Sequence, residues 1–331
     1  MEIKKILFKS FKYILIFWFF AILYTYFGEI LFYNICKNLF SNFINKLKSK
    51  VCICAIGKEE NRYIKEFVDH YKKLGVDKIF LYDNNKKKGE RFESVISEYI
   101  NEGFVKIYNY RGKTAPQLRV LEKCYNKHKN IYNWFIFFDI DEFIHLSNYT
   151  NIKDFLNENK FNKCNLIYFN CVRHTDNDML YYDNRTLEEK FPIVKWESKM
   201  YTVKSIMRGH NKKHIKFATT HWINRNLKKG CNVFGKYIHP TFRCRLGKYI
   251  NIKPENRLYY IDHYCFKSTE EYINKIKKGD GEFGFNRRVK KHKINLYFGY
   301  NNITLEKINY IENKTRFNLT RFRLKLNKED I

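Results

Sequence analysis

Short apolar runs alternate with segments of helical periodicity between residues 51 and 145. Short runs rich in apolar residues predict strands at residues 51–57, 78–82 and 105–108, and an uninterrupted apolar run, typical of a strand buried on both faces, predicts another from Trp134. The segments between them have apolar residues at three- and four-residue spacing and predict helices at residues 63–74, 92–100 and 117–128. This alternation predicts an α/β domain built on a doubly wound, mostly parallel sheet.

The run from Trp134 to His145, WFIFFDIDEFIH, ends in the carboxylates Asp139, Asp141 and Glu142. Carboxylates at the end of a buried strand are costly to desolvate unless a cation meets them. Ligands of open α/β sheets bind at the carboxyl ends of the strands, and Mg²⁺ or Mn²⁺ takes oxygen ligands. Asp139 and Asp141 are therefore candidate metal ligands, and the alternative is a solvated turn after a core strand.

The pattern is less regular beyond residue 150. Apolar runs predict further strands at residues 166–172, 201–207 and 259–266. Ser268 with Glu271 three positions later predicts the N-cap of a helix that runs to residue 278, and a glycine-containing loop follows. Residues 301–322 are predicted to be helical. A second Asp-x-Asp, at Asp176 and Asp178, follows the strand predicted at 166–172.

The first 50 residues differ from the rest because an uncharged run covers residues 13–28, and residues 30–36 are apolar again after Glu29. Lysines flank the segment on both sides. We interpret residues 1–50 as an uncleaved membrane anchor, either one spanning helix or an interfacial helix pair. The alternative is a helix that packs on the domain itself. The catalytic domain is predicted at residues 51–290, followed by a basic helical extension at 291–331.

Composition narrows the class of partner only slightly. A net charge of +29 favours polyanions, but the basic residues are spread along the chain and form no nucleic-acid recognition module. Nine cysteines without regular spacing predict a reducing compartment, with most thiols acting as small core residues. On that basis the catalytic domain is expected to face the cytoplasm.

Three segments together resemble the ordered motifs of GT-A glycosyltransferases. They are GKEENRYIKEFVDHYKKLGVDKIFLYDNN, FFDIDEFI and IDHYCFKSTEEYINK. The chain is similar to the family 2-like group of bacterial surface-polysaccharide enzymes and to the related glycosyltransferase family 92. The resemblance covers residues 51–284, and it departs from the usual Lys-Asn-Glu at Gly57, Lys58 and Glu59. It implies a GT-A fold with a nucleotide-binding half and an acceptor-binding half.

The resemblance also implies a site for a nucleotide sugar, with a UDP-sugar as the expected donor. Asp141 would ligate Mn²⁺ or Mg²⁺ at the diphosphate, Asp139 would reach the ribose or the metal through water, and His263 would be the third metal ligand. The cation would stabilise the charge of the departing nucleoside diphosphate. The remaining donor-site candidates are Lys58, Glu59, Glu60, Asp83, Asn84 and Lys267.

Inverting transfer requires a base for the acceptor hydroxyl, and a carboxylate in that role contributes roughly 10²–10⁴ in rate. The resemblance points to Asp178 first and Asp176 second, with a polar surface turn as the alternative. Glu142 is a further carboxylate whose position next to the metal pair suggests a structural role. Gln117, Lys204 and His221 also fall in stretches that resemble family motifs, without assigned roles.

Three functions compete at this point. The first is a metal-dependent, membrane-associated glycosyltransferase that acts on a glycan or lipid-linked acceptor in surface polysaccharide or glycoconjugate synthesis. The second is a metal-dependent nuclease or phosphotransferase, which the absence of a phosphate-binding loop motif disfavours. The third is a non-catalytic protein that binds a membrane surface through its charge, and its binding would not depend on Asp141.

Overall fold

The computed structural model describes residues 14–22, 49–114, 116–195, 203–210, 214–217, 230–238, 257–278, 287–315 and 317–329. The chain divides into two compact units, Met1–Ser49 and Lys50–Ile331. In the first unit, residues 14–22 are helical, and Phe17, Trp18 and Phe19 are exposed. Among the described residues, no helix is both long enough and apolar enough to cross a membrane.

The described part of the second unit contains eleven strands. They are β1 Val51–Gly57, β2 Lys78–Asp83, β3 Val105–Asn109, β4 Trp134–Ile136, β5 Glu142–Leu146, β6 Leu166–His174, β7 Val194–Lys195, β8 Val203–Arg208, β9 Gly230–Asn232, β10 Tyr237–Ile238 and β11 Tyr259–His263. The α-helices are α1 Asn61–Lys73, α2 Glu93–Asn101, α3 Gln117–His128, α4 Ile152–Leu156, α5 Leu187–Lys190, α6 Thr269–Lys278, α7 Arg287–Tyr300, α8 Leu305–Thr315 and α9 Thr320–Glu329.

The main path of the sheet has the order β10-β9-β6-β8-β4-β1-β2-β3. Strands β4, β1, β2 and β3 are parallel to one another, and β8 runs antiparallel between β4 and β6. Strands β11 and β5 branch from this path at β6, because β11 pairs in parallel with β6 and antiparallel with β5. The predicted α/β domain with a mostly parallel central sheet is confirmed.

Helices cover both faces of the parallel strands, as the continuous apolar runs predict. Alternate β1 residues face opposite ways, so that Ile53 joins a core cluster with Phe67 of α1, whereas Cys54 joins a second cluster with Leu121 of α3. Each of these four side chains is at most 3% exposed. A strand buried on both faces therefore carries no polar alternation, which is why the sequence reads as one apolar run.

The run from Trp134 is not a single strand, contrary to the prediction. β4 ends at Ile136, residues 137–141 are irregular, and β5 begins at Glu142. The physical reason is a change of partner, because β4 pairs with β1 and β8 whereas β5 pairs with β11. Asp139 and Asp141 consequently lie in the connecting turn, which the Glu142 amide closes by donating to the Asp139 carbonyl at 3.1 Å.

The helical prediction for residues 301–322 holds in two segments, because this region belongs to two helices, α8 and α9, with a break between them. The Leu319 amide donates to Glu312 Oε1 at 2.7 Å, and the Thr320 amide donates to Asn318 Oδ1 at 2.9 Å. These bonds fold the chain back between the helices and start α9. The residues on both sides of this break favour helix, so periodicity alone does not reveal the break between α8 and α9.

Two disulfides correct the expectation that the cysteines are unpaired. Cys54 of β1 bonds Cys124 of α3 with a Cα–Cα distance of 6.3 Å, and Cys164 bonds Cys231 with 5.8 Å. Both separations lie in the usual range for disulfides. The partners are 70 and 67 residues apart in sequence. Only the folded sheet brings them together, so spacing in the sequence gave no sign of the pairing.

Candidate active site

Candidate residues lie side by side at the ends of three neighbouring strands, β5, β11 and β6. Glu142 of β5 and His263 of β11 are direct partners in the antiparallel register. Arg173 of β6 is the parallel partner of His263. Side chains of directly paired residues project to the same face, so Glu142 and His263 lie side by side. The turn that carries Asp139 and Asp141 immediately precedes Glu142, so these two aspartates lie near the same strand ends.

Asp139 is held by two side chains that the sequence analysis left without a role. Lys204 Nζ of β8 lies 2.7 Å from Asp139 Oδ2, and Gln117 Nε2 of α3 donates to Asp139 Oδ1 at 2.9 Å. Lys204 also lies 3.1 Å from Glu142 Oε2, which accepts from the Asp139 amide at 2.9 Å. This network fixes the turn, and both carboxylate oxygens of Asp139 are engaged.

Asp141 is buried and faces both a lysine and a histidine. Its Oδ2 accepts from Lys275 Nζ of α6 at 2.7 Å, and its Oδ1 lies 3.7 Å from His263 Nε2. The Asp141 carbonyl accepts from the Tyr264 amide at 2.9 Å, which ties the turn to the end of β11. Asp141 Oδ1 therefore lies toward the imidazole, and the structure describes no cationic group closer to it.

Burial and neighbouring charge set the protonation states of this edge. Burial, reinforced by Asp139 and Asp141 and opposed by Lys204, raises the pKa of Glu142 to about 8. Burial also favours neutral Asp141, but its cationic neighbours, Lys275 first and Lys267 with it, together outweigh burial, and the pKa of Asp141 lies well below its usual range. Burial lowers the pKa of His263 well below its ordinary value. The imidazole is thus neutral, which is the form that ligates metals.

Asp141 and His263 fit a divalent cation. Two ligand atoms each about 2.1 Å from one ion lie roughly 3–4 Å apart, and Asp141 Oδ1 and His263 Nε2 are separated by 3.7 Å. The buried Nδ1 of His263 has no hydrogen-bond partner among the described residues, so no hydrogen bond there fixes the tautomer. Asp139 fits a direct ligand less well because Lys204 and Gln117 already occupy its oxygens.

A cleft of about 610 Å³ opens between the loop after β1 and helix α6. Lys275 lines this cleft and also contacts Asp141, so the cleft is adjacent to the Asp141–His263 pair. Cations predominate in the lining, which contains seven of them and four glutamates. The cations are Lys58, Arg62, Lys86, Lys267, Lys275, Lys277 and Lys278. An excess of positive charge in a concave site attracts polyanions such as diphosphates.

Glu60 organises two of the cleft's lysines. Lys267 Nζ lies 3.0 Å from Glu60 Oε2, and Lys278 Nζ lies 2.6 Å from Glu60 Oε1. Burial would raise the pKa of Glu60, but these two ammonium groups lower it overall. Lys267 has a φ of +55°, a left-handed conformation that is strained for a lysine. The fold therefore positions this side chain at a conformational cost, as functional sites often do.

The loop residues Lys58 and Glu59 join the same cleft. Lys58 Nζ donates to the Lys278 carbonyl at 3.0 Å, so the loop is tied to the end of α6. Glu59 has a φ of +57°, and its amide donates to Asn85 Oδ1 at 2.6 Å. The structure thus brings together Lys58, Glu59, Glu60 and Lys267, which were predicted from well-separated parts of the sequence.

Asp83 and Asn84 end β2 as predicted, but their polar groups are already engaged. Asp83 Oδ2 accepts from Arg111 Nη1 at 2.5 Å, and Asp83 Oδ1 accepts from the Asn85 amide at 2.8 Å. Asn84 Nδ2 donates to the carbonyls of Tyr110 and Lys113 at 2.9 and 2.8 Å. Both side chains are buried. They organise the surrounding loops, and any contact with a nucleoside would have to share these bonds.

The two acidic residues after β6 differ sharply in environment. Asp176 is 1% exposed, its Oδ2 contacts Tyr297 and Lys307, and its Oδ1 accepts from the Asp178 amide at 3.0 Å. The Asp178 side chain is 52% exposed and pairs with Lys307 at 2.7 Å. Desolvation of Asp178 is outweighed by its bonds to Lys307 and Asn302, so its pKa is lowered. Asp176 has the environment of a structural residue, and Asp178 remains accessible.

Sequence reasoning missed several functional side chains. Lys275 and Lys278 lie three residues apart on α6, and this helical spacing places both toward the cleft, but the sequence analysis assigned neither a role. Arg111, the partner of Asp83, had no recognisable signal. Cys171 of β6 is buried near Glu142 and His263. His221 lies outside the described residues.

Comparison with known proteins places the chain in context. A family model described as glycosyltransferase family 92 matches residues 48–316. A family 92 protein of Ricinus communis is 30% identical over 109 residues, which covers 32% of this chain and 19% of the relative. A family 92 protein of Oryza sativa subsp. japonica is 27% identical over 110 residues, which covers 32% of this chain and 18% of the relative. The matched part thus spans about a fifth of these relatives' lengths.

Two solved structures of Staphylococcus aureus TarS share low similarity with the chain. The structure of TarS 1–349 in complex with UDP-GlcNAc has a TM-score of 0.34 and 14% identity, covering 80% of this chain and 79% of that one. The structure of TarS has a TM-score of 0.32 and 12% identity, covering 80% of this chain and 49% of that one. The family match therefore rests on sequence.

Proposed function

Because the chain belongs to glycosyltransferase family 92, we propose that it transfers a sugar from a nucleotide sugar, with UDP as the expected nucleotide. The observation that carries the proposal is the cationic cleft beside the Asp141–His263 pair. A nucleoside diphosphate carries the charge that such a cleft attracts, and its departure is the charge-forming event of sugar transfer. The proposed fold type is GT-A, with nucleotide-binding and acceptor-binding halves.

The residues of the chain divide the work of binding the donor. Lys267, Lys275 and Lys278 present ammonium groups to the cleft, and Glu60 holds two of them in position. Asp141 and His263 would hold Mn²⁺ or Mg²⁺, which supplies Lewis-acid stabilisation of the departing diphosphate. Lys204 and Gln117 fix the Asp139 turn and thereby the direction in which Asp141 points. We propose an indirect, positioning contribution for Asp139.

Asp178 is the proposed base for the acceptor hydroxyl in an inverting transfer. Its carboxylate is accessible and its lowered pKa keeps it ionised, which a proton acceptor requires. The loop that carries it is joined to the start of α6, where the Thr269 amide donates to the Met179 carbonyl at 2.9 Å. Helix α6 therefore connects the proposed acceptor side with the donor cleft. The acceptor class we propose is a glycan or a lipid-linked glycan.

Membrane association is proposed from the apolar N-terminal segment, whose described residues 14–22 form a helix with exposed aromatic side chains. The expected cytoplasmic orientation fits less well with the two disulfides. Cytosolic thiols stay reduced, and disulfides persist in oxidising compartments. We therefore favour an oxidising compartment for residues 50–331, in glycoconjugate synthesis at a membrane.

Calorimetric titration of UDP into the full chain in mild detergent tests this proposal. Binding is expected with Mn²⁺ and is expected to be lost with EDTA or in Asp141→Asn. Asp69→Asn is the matched control because this aspartate pairs with Lys65 on the surface. Failure of both UDP and GDP to bind in the presence of metal would overturn the proposal. Salt-sensitive binding of anionic vesicles that is indifferent to Asp141 would favour a non-catalytic membrane-binding protein instead.

A further inference from the structure

We propose that Glu142, Cys171 and His263 form a site for a borderline divalent transition ion of the Zn²⁺ type, which shares His263 with the Asp141 pair described above. One ligand atom from each of these residues lies within 4.8 Å of the others. The inference concerns the ion's ligands, and it touches the proposed sugar transfer through His263, the ligand that both sites would use.

The strand register creates this arrangement. Glu142 and His263 are direct partners across β5 and β11. Cys171 lies two residues before Arg173, the parallel partner of His263 on β6, so Cys171 and Arg173 project to the same face. Three adjacent strands thus contribute one ligand each to a single face of the sheet. Ligands on strands are held more rigidly than ligands on loops, which favours a defined coordination geometry.

An unpartnered buried oxygen points into the site. Glu142 is 0% exposed, and its Oε2 is occupied by Lys204 and the Asp139 amide. Within the described parts of the chain its Oε1 has no hydrogen-bond partner, and it lies 3.8 Å from His263 Nε2. A buried carboxylate oxygen without a partner is costly, and a cation between it and the imidazole would remove that cost.

The chemical types of the three ligand atoms indicate which class of metal ion would bind. Thiolate, imidazole and carboxylate together are ligands of Zn²⁺, whereas Mg²⁺ prefers oxygen ligands alone. Ligand atoms of a tetrahedral site with bonds of about 2.0–2.3 Å lie roughly 3.3–3.7 Å apart. The three atoms therefore need to close by at most about 1.5 Å on binding an ion. Asp141 Oδ1, 3.7 Å from His263 Nε2, is positioned to complete the coordination.

Cobalt is the probe because Co²⁺ replaces Zn²⁺ and reports sulfur ligation by a near-ultraviolet charge-transfer band. The metal-free full chain in mild detergent, with its disulfides intact, is expected to bind one Co²⁺ with this band. Cys171→Ser should abolish the band and weaken binding by at least about 100-fold, because even outer-shell changes alter metal affinity by about 10- to 100-fold. Cys52→Ser is the matched control, a buried free thiol on β1.

Two further measurements decide the outcome if Cys171→Ser folds poorly. X-ray absorption of the cobalt-loaded wild-type chain should show one sulfur at about 2.3 Å, and a shell of nitrogen and oxygen alone would overturn the inference. Glu142→Gln should weaken binding while retaining the sulfur band. Loss of Co²⁺ binding in Asp141→Asn but not in Cys171→Ser would place the ion on the Asp-x-Asp turn. That result would refute the site and leave the proposed transferase function intact.

Discussion

Glu142 makes the metal-free protein less stable as the pH rises. Its pKa is about 8 in the folded chain against an ordinary value of 4.5, so the folded state holds the proton more tightly than the unfolded state. The stability that this group contributes is complete below pH 4.5 and is lost as the pH rises toward 8. One pKa unit corresponds to about 1.4 kcal/mol, so keeping the carboxyl protonated at pH 7 costs about 3 kcal/mol.

Replacing Glu142 by glutamine is therefore expected to stabilise the metal-free chain at pH 7 by up to about 3 kcal/mol and to have little effect near pH 4.5. Glutamine keeps the shape of the side chain and an oxygen for Lys204, and it removes the charge that burial penalises. The free energy of unfolding should be measured by denaturant titration with EDTA at pH 5, 6, 7 and 8. Glu98→Gln, an exposed change on α2, is the matched control.

The pH dependence decides this prediction. A stability difference between wild type and Glu142→Gln that grows with pH between 5 and 8 supports the raised pKa. A difference that stays constant over this range would show that Glu142 is already ionised at pH 5, and the argument from burial would then be wrong. Adding Zn²⁺ should reverse the order of stabilities at pH 7, because metal ligation requires the ionised carboxylate.

Two further predictions concern the cross-links and the proposed base. Cys54→Ala with Cys124→Ala removes a link between residues 70 apart and should lower the free energy of unfolding by about 4 kcal/mol in denaturant titration; an unchanged midpoint would show that the bond does not form. Asp178→Asn should slow UDP release from a panel of UDP-sugars by roughly 10²–10⁴ while leaving UDP affinity unchanged, and wild-type turnover would exclude it as the base.

The elements predicted from periodicity matched the structure in the first part of the parallel sheet. Strands β1, β2 and β3 and the helices between them form local patterns, and their bounds agree within two residues. The break after Ile136 was missed because aromatic residues continue through it to Phe138. β4 ends because the chain after it leaves β1 and β8 and pairs, as β5, with β11. Strand pairing depends on distant residues, so the sequence of this segment alone does not reveal the break.

Some residues of the candidate site could be predicted from the sequence, and others could not. Acidic residues that follow apolar strands, such as Asp141, stand out in the sequence because buried charge is rare. Their partners do not stand out, since Lys275 and Lys204 are two of many lysines in a strongly basic chain. Cys171 was equally hidden, because a lone cysteine in an apolar run is typical of a core residue. Only the register of three strands shows that it faces Glu142 and His263.

The cross-links have a practical consequence for preparing the protein. Cys54–Cys124 and Cys164–Cys231 each close a loop that contains about a fifth of the chain, and both must form between the correct partners. A bacterial cytosol keeps thiols reduced, so chains made there would lack both bonds and populate the unfolded state more. Inactivity of such material would report the redox history of the sample, and preparations from a secretory or periplasmic route are the ones on which the active site can be judged.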